Sequence, residues 1–255
     1  SPCIRSKTER KAELIITPAK EQVLDFGQNM AGIILFVNRL PKGKTIRIQT
    51  GEVLQGGNCY RDNLRTAKSE FVYTSDGETK EVEPFFTFFG FRYAKIEGPE
   101  AVDPVDFTAV CLSSDLKETL EVRTDHEKLN RLMMNSLWGQ RSNFLDVPTD
   151  CPQRDERLGW TADTQVFVNT ACYQMDCKVF YSKFMRDMRA DQTMYYGGDI
   201  PAFSPSMKGD TLHGGAGWAD AATIIPWNVY MNYGDQALLE ENYPMMRDYV
   251  EYLRE

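Results

Sequence analysis

Histidine is the scarcest functional side chain here: the 255 residues contain two, His126 and His213. No zinc set of ordinary spacing can be assembled from so few imidazoles. Cysteine does not supply one either, because Cys3, Cys59, Cys111, Cys151, Cys172 and Cys177 are scattered without a CxxC pair. Cys151 has no nearby histidine in the sequence, which weakens a cysteine-nucleophile reading. A GxxxxGK[ST] phosphate loop is missing, and no GxGxxG follows a strand. No metal and no cofactor is therefore expected. Long apolar runs are also missing, so no membrane span is expected. The net charge is −8, with acids and bases interspersed, and no basic stripe offers itself to a phosphate backbone. Nucleic acid is not an expected partner.

What is present is a chain rich enough in apolar residues, 42% hydrophobic and 12% aromatic, for one large or two ordinary domains. The N-terminus lacks an apolar signal core and an initiating methionine, as a processed or excised piece would. Scattered cysteines in a chain of this size read as free thiols of a reducing, cytoplasmic compartment; a periplasmic site after signal removal is the alternative.

Residues 1–113 read as an all-β domain. Short runs such as Ile33-Ile34-Leu35-Phe36-Val37 and the alternation of Thr45 to Thr50 are separated by turn signals such as Pro41-Lys42-Gly43-Lys44 and Ser75-Asp76-Gly77. Phe85, Phe86, Phe88 and Phe89 are expected to fill the core or the seam with the next domain. Residues 55–63 read as a glycine-rich surface loop.

Residues 114–255 read as helices. Thr124 and Glu127 form a capping-box pattern, followed by Leu129, Leu132, Met133, Leu137, Gln140 and Phe144 at helical spacing. His126 falls in the first turn as a surface residue. A second helix after Trp160 is expected to bury Val166, Phe167 and Ala171, and to place Asp163 in its first turn, where the helix dipole favours a carboxylate. Asp176 is positioned to cap a third helix carrying Phe180, Phe184 and Met188. A long irregular loop, with Asp199, Asp210 and His213, then leads to Trp218 and Asp220. Asp235 caps a short helix, and Pro244 opens another.

The densest chemistry lies between 146 and 163. Asp146, Asp150, Asp155, Glu156 and Asp163 crowd together with Arg154, Arg157 and Trp160, and Pro148 and Pro152 keep the first half extended. Paired carboxylates with a nearby aromatic suit glycoside hydrolysis, where one carboxyl protonates the leaving oxygen and a second acts on water or on the anomeric carbon. The competing reading is a structural ion-pair loop in which Arg154 and Arg157 neutralise Asp155 and Asp146.

The stretch VPTDCPQRDERLGWTAD closely resembles the catalytic segment of bacterial α-L-rhamnosidases, glycoside hydrolase family 78. The β segment from LDFGQNMAG through FTFFGFRYAKIEG and the later GWADAATIIPWNVYMNYGD are similar to the same family. The resemblance implies an N-terminal β-sandwich, jelly-roll-like, followed by the first part of an (α/α)6 barrel. It implies an inverting enzyme that releases terminal α-L-rhamnose, with Glu156 as general acid on a raised pKa. Asp150 and Asp163 would hold rhamnose hydroxyls, and Trp160 and Trp218 would wall the pocket. Ala162 stands where the family usually has glycine. The implied partner is a rhamnose-containing glycoside or oligosaccharide, and self-association is left open. No counterpart of the family's general base is found before Glu255, so a fragment, or an opening covered by a partner, is expected. A non-catalytic carbohydrate-binding protein is the alternative.

Overall fold

The computed structural model describes residues 2–207 and 209–255. The first part is built from β1 (Ile4–Lys11), β2 (Glu13–Ile16), β3 (Gln22–Asn38), β4 (Thr45–Gly51), β5 (Val53–Gln55), β6 (Asn58–Tyr60), β7 (Glu70–Thr74), β8 (Lys80–Val82), β9 (Phe89–Glu97) and β10 (Phe107–Ser114). Eight of these form one antiparallel sheet, ordered β1-β10-β3-β9-β4-β7, with β2 and β8 also paired to β3. The long β3 organises it: β9 and then β8 follow one edge, β2 and then β10 the other. Its register breaks between Asp25 and Met30, where Gly27 takes φ 73° and donates its N–H to Asp25 at 2.7 Å. A break of this kind bends a strand and strengthens its twist, and the sheet curls into a half-barrel. Phe26, Phe36, Phe91 and Phe107 fill its core.

Residues 55–63 do not form an open loop. β5 and β6 pair across Gly56-Gly57, both at positive φ, as a two-residue hairpin turn requires. The phenylalanine run divides as well. Phe89 is buried, but Phe85 and Phe86 are exposed, because the chain there is a turn and β9 begins only at Phe89.

The second part holds α1 (Glu127–Asn143), the two-strand hairpin β11 (Phe144–Leu145) and β12 (Val147–Pro148), α2 (Thr161–Gln174), α3 (Lys178–Met194), α4 (Ala221–Tyr233) and α5 (Gln236–Tyr252). Phe180, Tyr181, Phe184, Met185 and Met188 of α3 are fully buried in a core shared with Ile225 of α4 and Met245 of α5. Phe144 stacks on Phe180 at 4.4 Å, which ties the end of α1 into this core. Among the described residues no helix is long and apolar enough to cross a membrane.

Several local expectations change. The cap of α1 is His126, whose Nδ1 accepts from the Leu129 amide at 3.3 Å; Thr124 is occupied with Asn130. The buried residues of α1 are Trp138, Gln140 and Ser142, whereas Leu129 and Leu132 are exposed, because the helix lies against β3 and β10 through its other flank. On α2, Ala171 is buried but Val166 is exposed. Asp176 sits one residue before the cap position of α3, which is Cys177. Pro244 opens no new helix: α5 runs through it unbroken from the Asp235 cap, whose side chain accepts from Leu238 at 3.1 Å.

Candidate active site

The acidic stretch is held by backbone pairing at its two ends. The β11–β12 hairpin turns at Asp146, which takes φ 67° and pairs with Lys183 at 3.1 Å. Thr149 and Gly159 form an antiparallel bridge, and Trp160 bridges to Phe203 in the loop after α3. The intervening acids are thus presented on a closed loop, with their polar groups satisfied by near neighbours as partial burial demands.

Beside this loop lies a cavity of about 490 Å³, within the range of small-ligand sites. Asp150, Asp163, Phe167, Asn143 and Trp218 line it, along with Val166, whose exposure this explains. Asp163 stands in the first turn of α2 as expected. Trp218 is 39% exposed and presents its ring to the cavity. Trp160 is half-buried; its ring meets Phe203 edge-on at 5.5 Å, and its Nε1 donates to the Glu156 carbonyl at 3.0 Å.

Glu156 sits at the edge of this arrangement, its carboxylate within 4.8 Å of the Asp150 carboxylate. One oxygen accepts from Arg154 at 2.8 Å and from the Cys151 thiol at 3.2 Å. The other is paired with Arg65, which arrives from the β-domain. These contacts hold its carboxyl below the usual glutamate range, the Cys151 hydrogen bond first and Arg154 next. The expected upward shift is therefore overturned: the donors surrounding Glu156 favour the ionised form. The upward shift falls on Asp163 instead, where desolvation comes first, and the charges of Asp150 and Glu156 add to it.

Cys151 links these groups. The single proton of its thiol is shared between Asp150 at 2.9 Å and Glu156 at 3.2 Å, and the sulfur receives Arg154 at 3.1 Å. Burial, and then its bonds to Asp150 and Glu156, push the thiol up to about 12, so it remains a protonated donor. Asp150, Cys151 and Glu156 converge closely enough to suggest cation ligands, but the Arg154 guanidinium already bonds the same sulfur and carboxylate oxygen. The arrangement suits hydrogen bonding to polyol hydroxyls and proton transfer.

The ion pairs assigned from sequence differ. Arg154 holds Glu156, while Arg157 donates to the Phe88 carbonyl at 2.9 Å with its guanidinium 4.3 Å from the Phe88 ring. Asp155 is bonded to Thr66. The later loop acids serve the loop itself: Asp210 accepts from the Met207 amide, and Asp220 accepts from Gly217 and from Tyr249. Buried Asp199 contacts His213 Nδ1 at 2.7 Å. Sequence reasoning missed Arg65 and Thr66, since nothing near them in the chain marks them as neighbours of the acidic loop.

A curled sheet feeding a set of packed helices, with acids and aromatics gathered around a cavity in the helical part, defines a two-part architecture of glycosidase type. The chain belongs to the bacterial α-L-rhamnosidase family: residues 117–255 match its 6-hairpin glycosidase domain, and residues 15–113 match its concanavalin-like domain. An α-L-rhamnosidase of Formosa agariphila is 41% identical over 97% of this chain and 27% of its own length. One from Streptomyces avermitilis is 41% identical over 91% of this chain and 22% of its own. The crystal structure of a Streptomyces avermitilis α-L-rhamnosidase complexed with L-rhamnose superposes with TM-score 0.94 at 37% identity, covering 99% of this chain and 25% of that one. That of Aspergillus terreus gives 0.91 at 36%, covering 98% and 29%. The chain thus spans about a quarter of the length of these relatives.

Proposed function

We propose that the protein carrying this chain is an inverting glycoside hydrolase that releases terminal α-L-rhamnose. Asp150 and Asp163 hold sugar hydroxyls, Trp218 walls the pocket, Trp160 stands outside the cavity lining and holds the Glu156 backbone, and Glu156 donates the proton to the leaving oxygen. One observation carries this reading: Asp150, Asp163 and Trp218 face a single cavity of about 490 Å³, with the Glu156 carboxylate within 4.8 Å of that of Asp150. The structure of the Streptomyces relative complexed with L-rhamnose supports the choice of sugar. In an inverting enzyme a second carboxylate, roughly 6.5–9.5 Å from the acid, activates water on the opposite face of the ring.

Glu156→Gln is the test. Losing a general acid costs about 10²–10⁴ in rate. Substrates with poor leaving groups should suffer that loss, while activated aryl rhamnosides, which need little protonation, should lose much less. Equal losses on both would sink the acid role. A second reading, a rhamnose-binding protein without turnover, is favoured by the double arginine pairing of Glu156, which a structural carboxylate would also show. L-Rhamnose titration beside a hydrolysis assay separates the two, since binding without turnover selects the second.

A further inference from the structure

The β-domain sends one loop, residues 61–69, into the acidic site. It is fastened at both ends to Thr50 of β4. Arg61 donates to the Thr50 carbonyl at 3.1 Å and to the Ser69 carbonyl at 3.1 Å, and the hydroxyls of Thr50 and Ser69 meet at 2.7 Å. Leu64, 1% exposed, pins the middle of the loop in the core. Immediately afterwards Arg65 takes φ 55°, and Ser69 takes φ 44°. Left-handed backbone is uncommon for side chains other than glycine and persists where the surroundings enforce it. The outcome is that two consecutive residues of the β-domain meet two consecutive residues of the acidic loop: Thr66 bonds Asp155, and Arg65 pairs with Glu156. The neighbouring backbones also approach closely, with Gly90 of β9 against Gln153. Arg65 is therefore delivered to Glu156 by a built loop and not by a free surface side chain.

We propose that Arg65 is a positioning residue that latches the Glu156 carboxylate in a resting arrangement and releases it when the glycoside docks. The inference rests on Glu156 as the proton donor and adds a control on that donor. A carboxylate gripped by Arg154 on one oxygen and by Arg65 on the other has no proton to give. Arg154 lies in the same loop as Glu156, but Arg65 belongs to another domain and is half exposed, so it is the partner that an arriving substrate can displace. The other groups facing Glu156 are the Cys151 thiol on its own loop and the carboxylates of Asp150 and Asp163. Asp155 lies beside Arg65, and Arg157 is turned away to Phe88. Of these, the two acids and the thiol persist when Arg65 is removed, and the acids favour a protonated Glu156.

The test follows the Glu156 carboxyl carbon by NMR across pH in the full chain, with the signal assigned by its loss in Glu156→Gln. Arg65→Gln should move the Glu156 midpoint up by about half a pH unit, the scale of a half-exposed pair. Arg65→Lys keeps the charge and should restore at least half of that shift. In the unsubstituted protein, raising the ionic strength should shift the midpoint in the same upward direction by screening the pair, a measurement that needs no variant to fold. A midpoint indifferent to Arg65→Gln and to salt, or moved as far by lysine as by glutamine, overturns the latch. Because this titration needs no turnover, its failure is distinguishable from failure of Glu156→Gln to abolish hydrolysis.

Discussion

The loop side and the helix side of the cavity carry the same kind of residue in opposite company. On the loop side, Glu156 is met by the Cys151 thiol, Arg154 and Arg65, and Asp155 by Thr66, and those donors hold both carboxyls low. On the helix side, Asp163 stands among Phe167, Val166 and Trp218 with Asp150 across from it, and its carboxyl is pushed up. Acids seven positions apart in sequence thus titrate in opposite directions, because desolvation and like charge act on one and hydrogen-bond donors on the other. Opposite environments of this kind set the tendencies of neighbouring carboxyls to ionise apart. The difference also has a source in the fold: the loop side leans on the β-domain, whereas the helix side is built within the helices.

The largest expected effects come from separating these supports by steric force. In Gly159→Ala the new methyl would lie 2.2 Å from the Ser204 carbonyl oxygen and 3.0 Å from the Phe184 ring, where the loop joins the segment after α3. Overpacking of this kind costs about 1–3 kcal/mol or moves the backbone, so the melting temperature should fall and both acids should titrate abnormally. Gly90→Ala strikes only the seam, its methyl 2.7–2.8 Å from the Gln153 backbone and Cβ. It should shift the Glu156 titration and leave that of Asp163 in place. If Gly90→Ala disturbed both acids equally, the two sides would not be independent. Next in size, Trp218→Ala should weaken L-rhamnose binding about tenfold, roughly the 1.4 kcal/mol that an aromatic wall contributes, and should change stability little because the ring is already 39% exposed. Calorimetric titration checks this; unchanged affinity would remove the helix side from the sugar-binding role.

How much of this was legible depended on the distance over which each feature is decided. Asp235 as a cap and Phe180, Phe184 and Met188 as core were readable because a cap and a helical stripe are written within a few residues. The long acidic motif carried the family for the same reason. The face of α1 was misread because burial there is decided by β3 and β10, which cover Trp138 and leave Leu129 and Leu132 exposed. Pro244 was misread because a proline that usually marks a first turn is carried inside a packed helix, with Asn242 bonded to the Leu238 carbonyl at 2.8 Å. The sequence weakens Cys151 as a nucleophile, but its place between Asp150, Glu156 and Arg154 could not be seen. Arg65 lies 91 residues from its partner, a separation that no local pattern spans.

The smallest effect is the most discriminating, because it depends on sign. Glu156 has a lowered carboxyl in the folded state, so its ionised form stabilises the fold above its unfolded value, and that contribution disappears as pH falls through the folded one. Glu156→Gln should therefore melt below the unsubstituted protein at pH 7 and converge with it toward pH 3. Asp163 is the reverse case. As pH rises past the unfolded aspartate value, the unfolded chain ionises first and stability is lost, until the folded carboxyl ionises too and the penalty levels off. Asp163→Asn should melt above the unsubstituted protein at pH 7 and match it near pH 3. Asp163 is only partly desolvated, because the cavity it faces is open to water on one side, so screening limits the gain to about 0.5 kcal/mol. Melting curves of both variants between pH 3 and pH 7 would show two differences of opposite sign that both close toward acid. Differences of one sign would mean that a single field covers the whole cavity, and that the arginines on the loop side do not set its two walls apart.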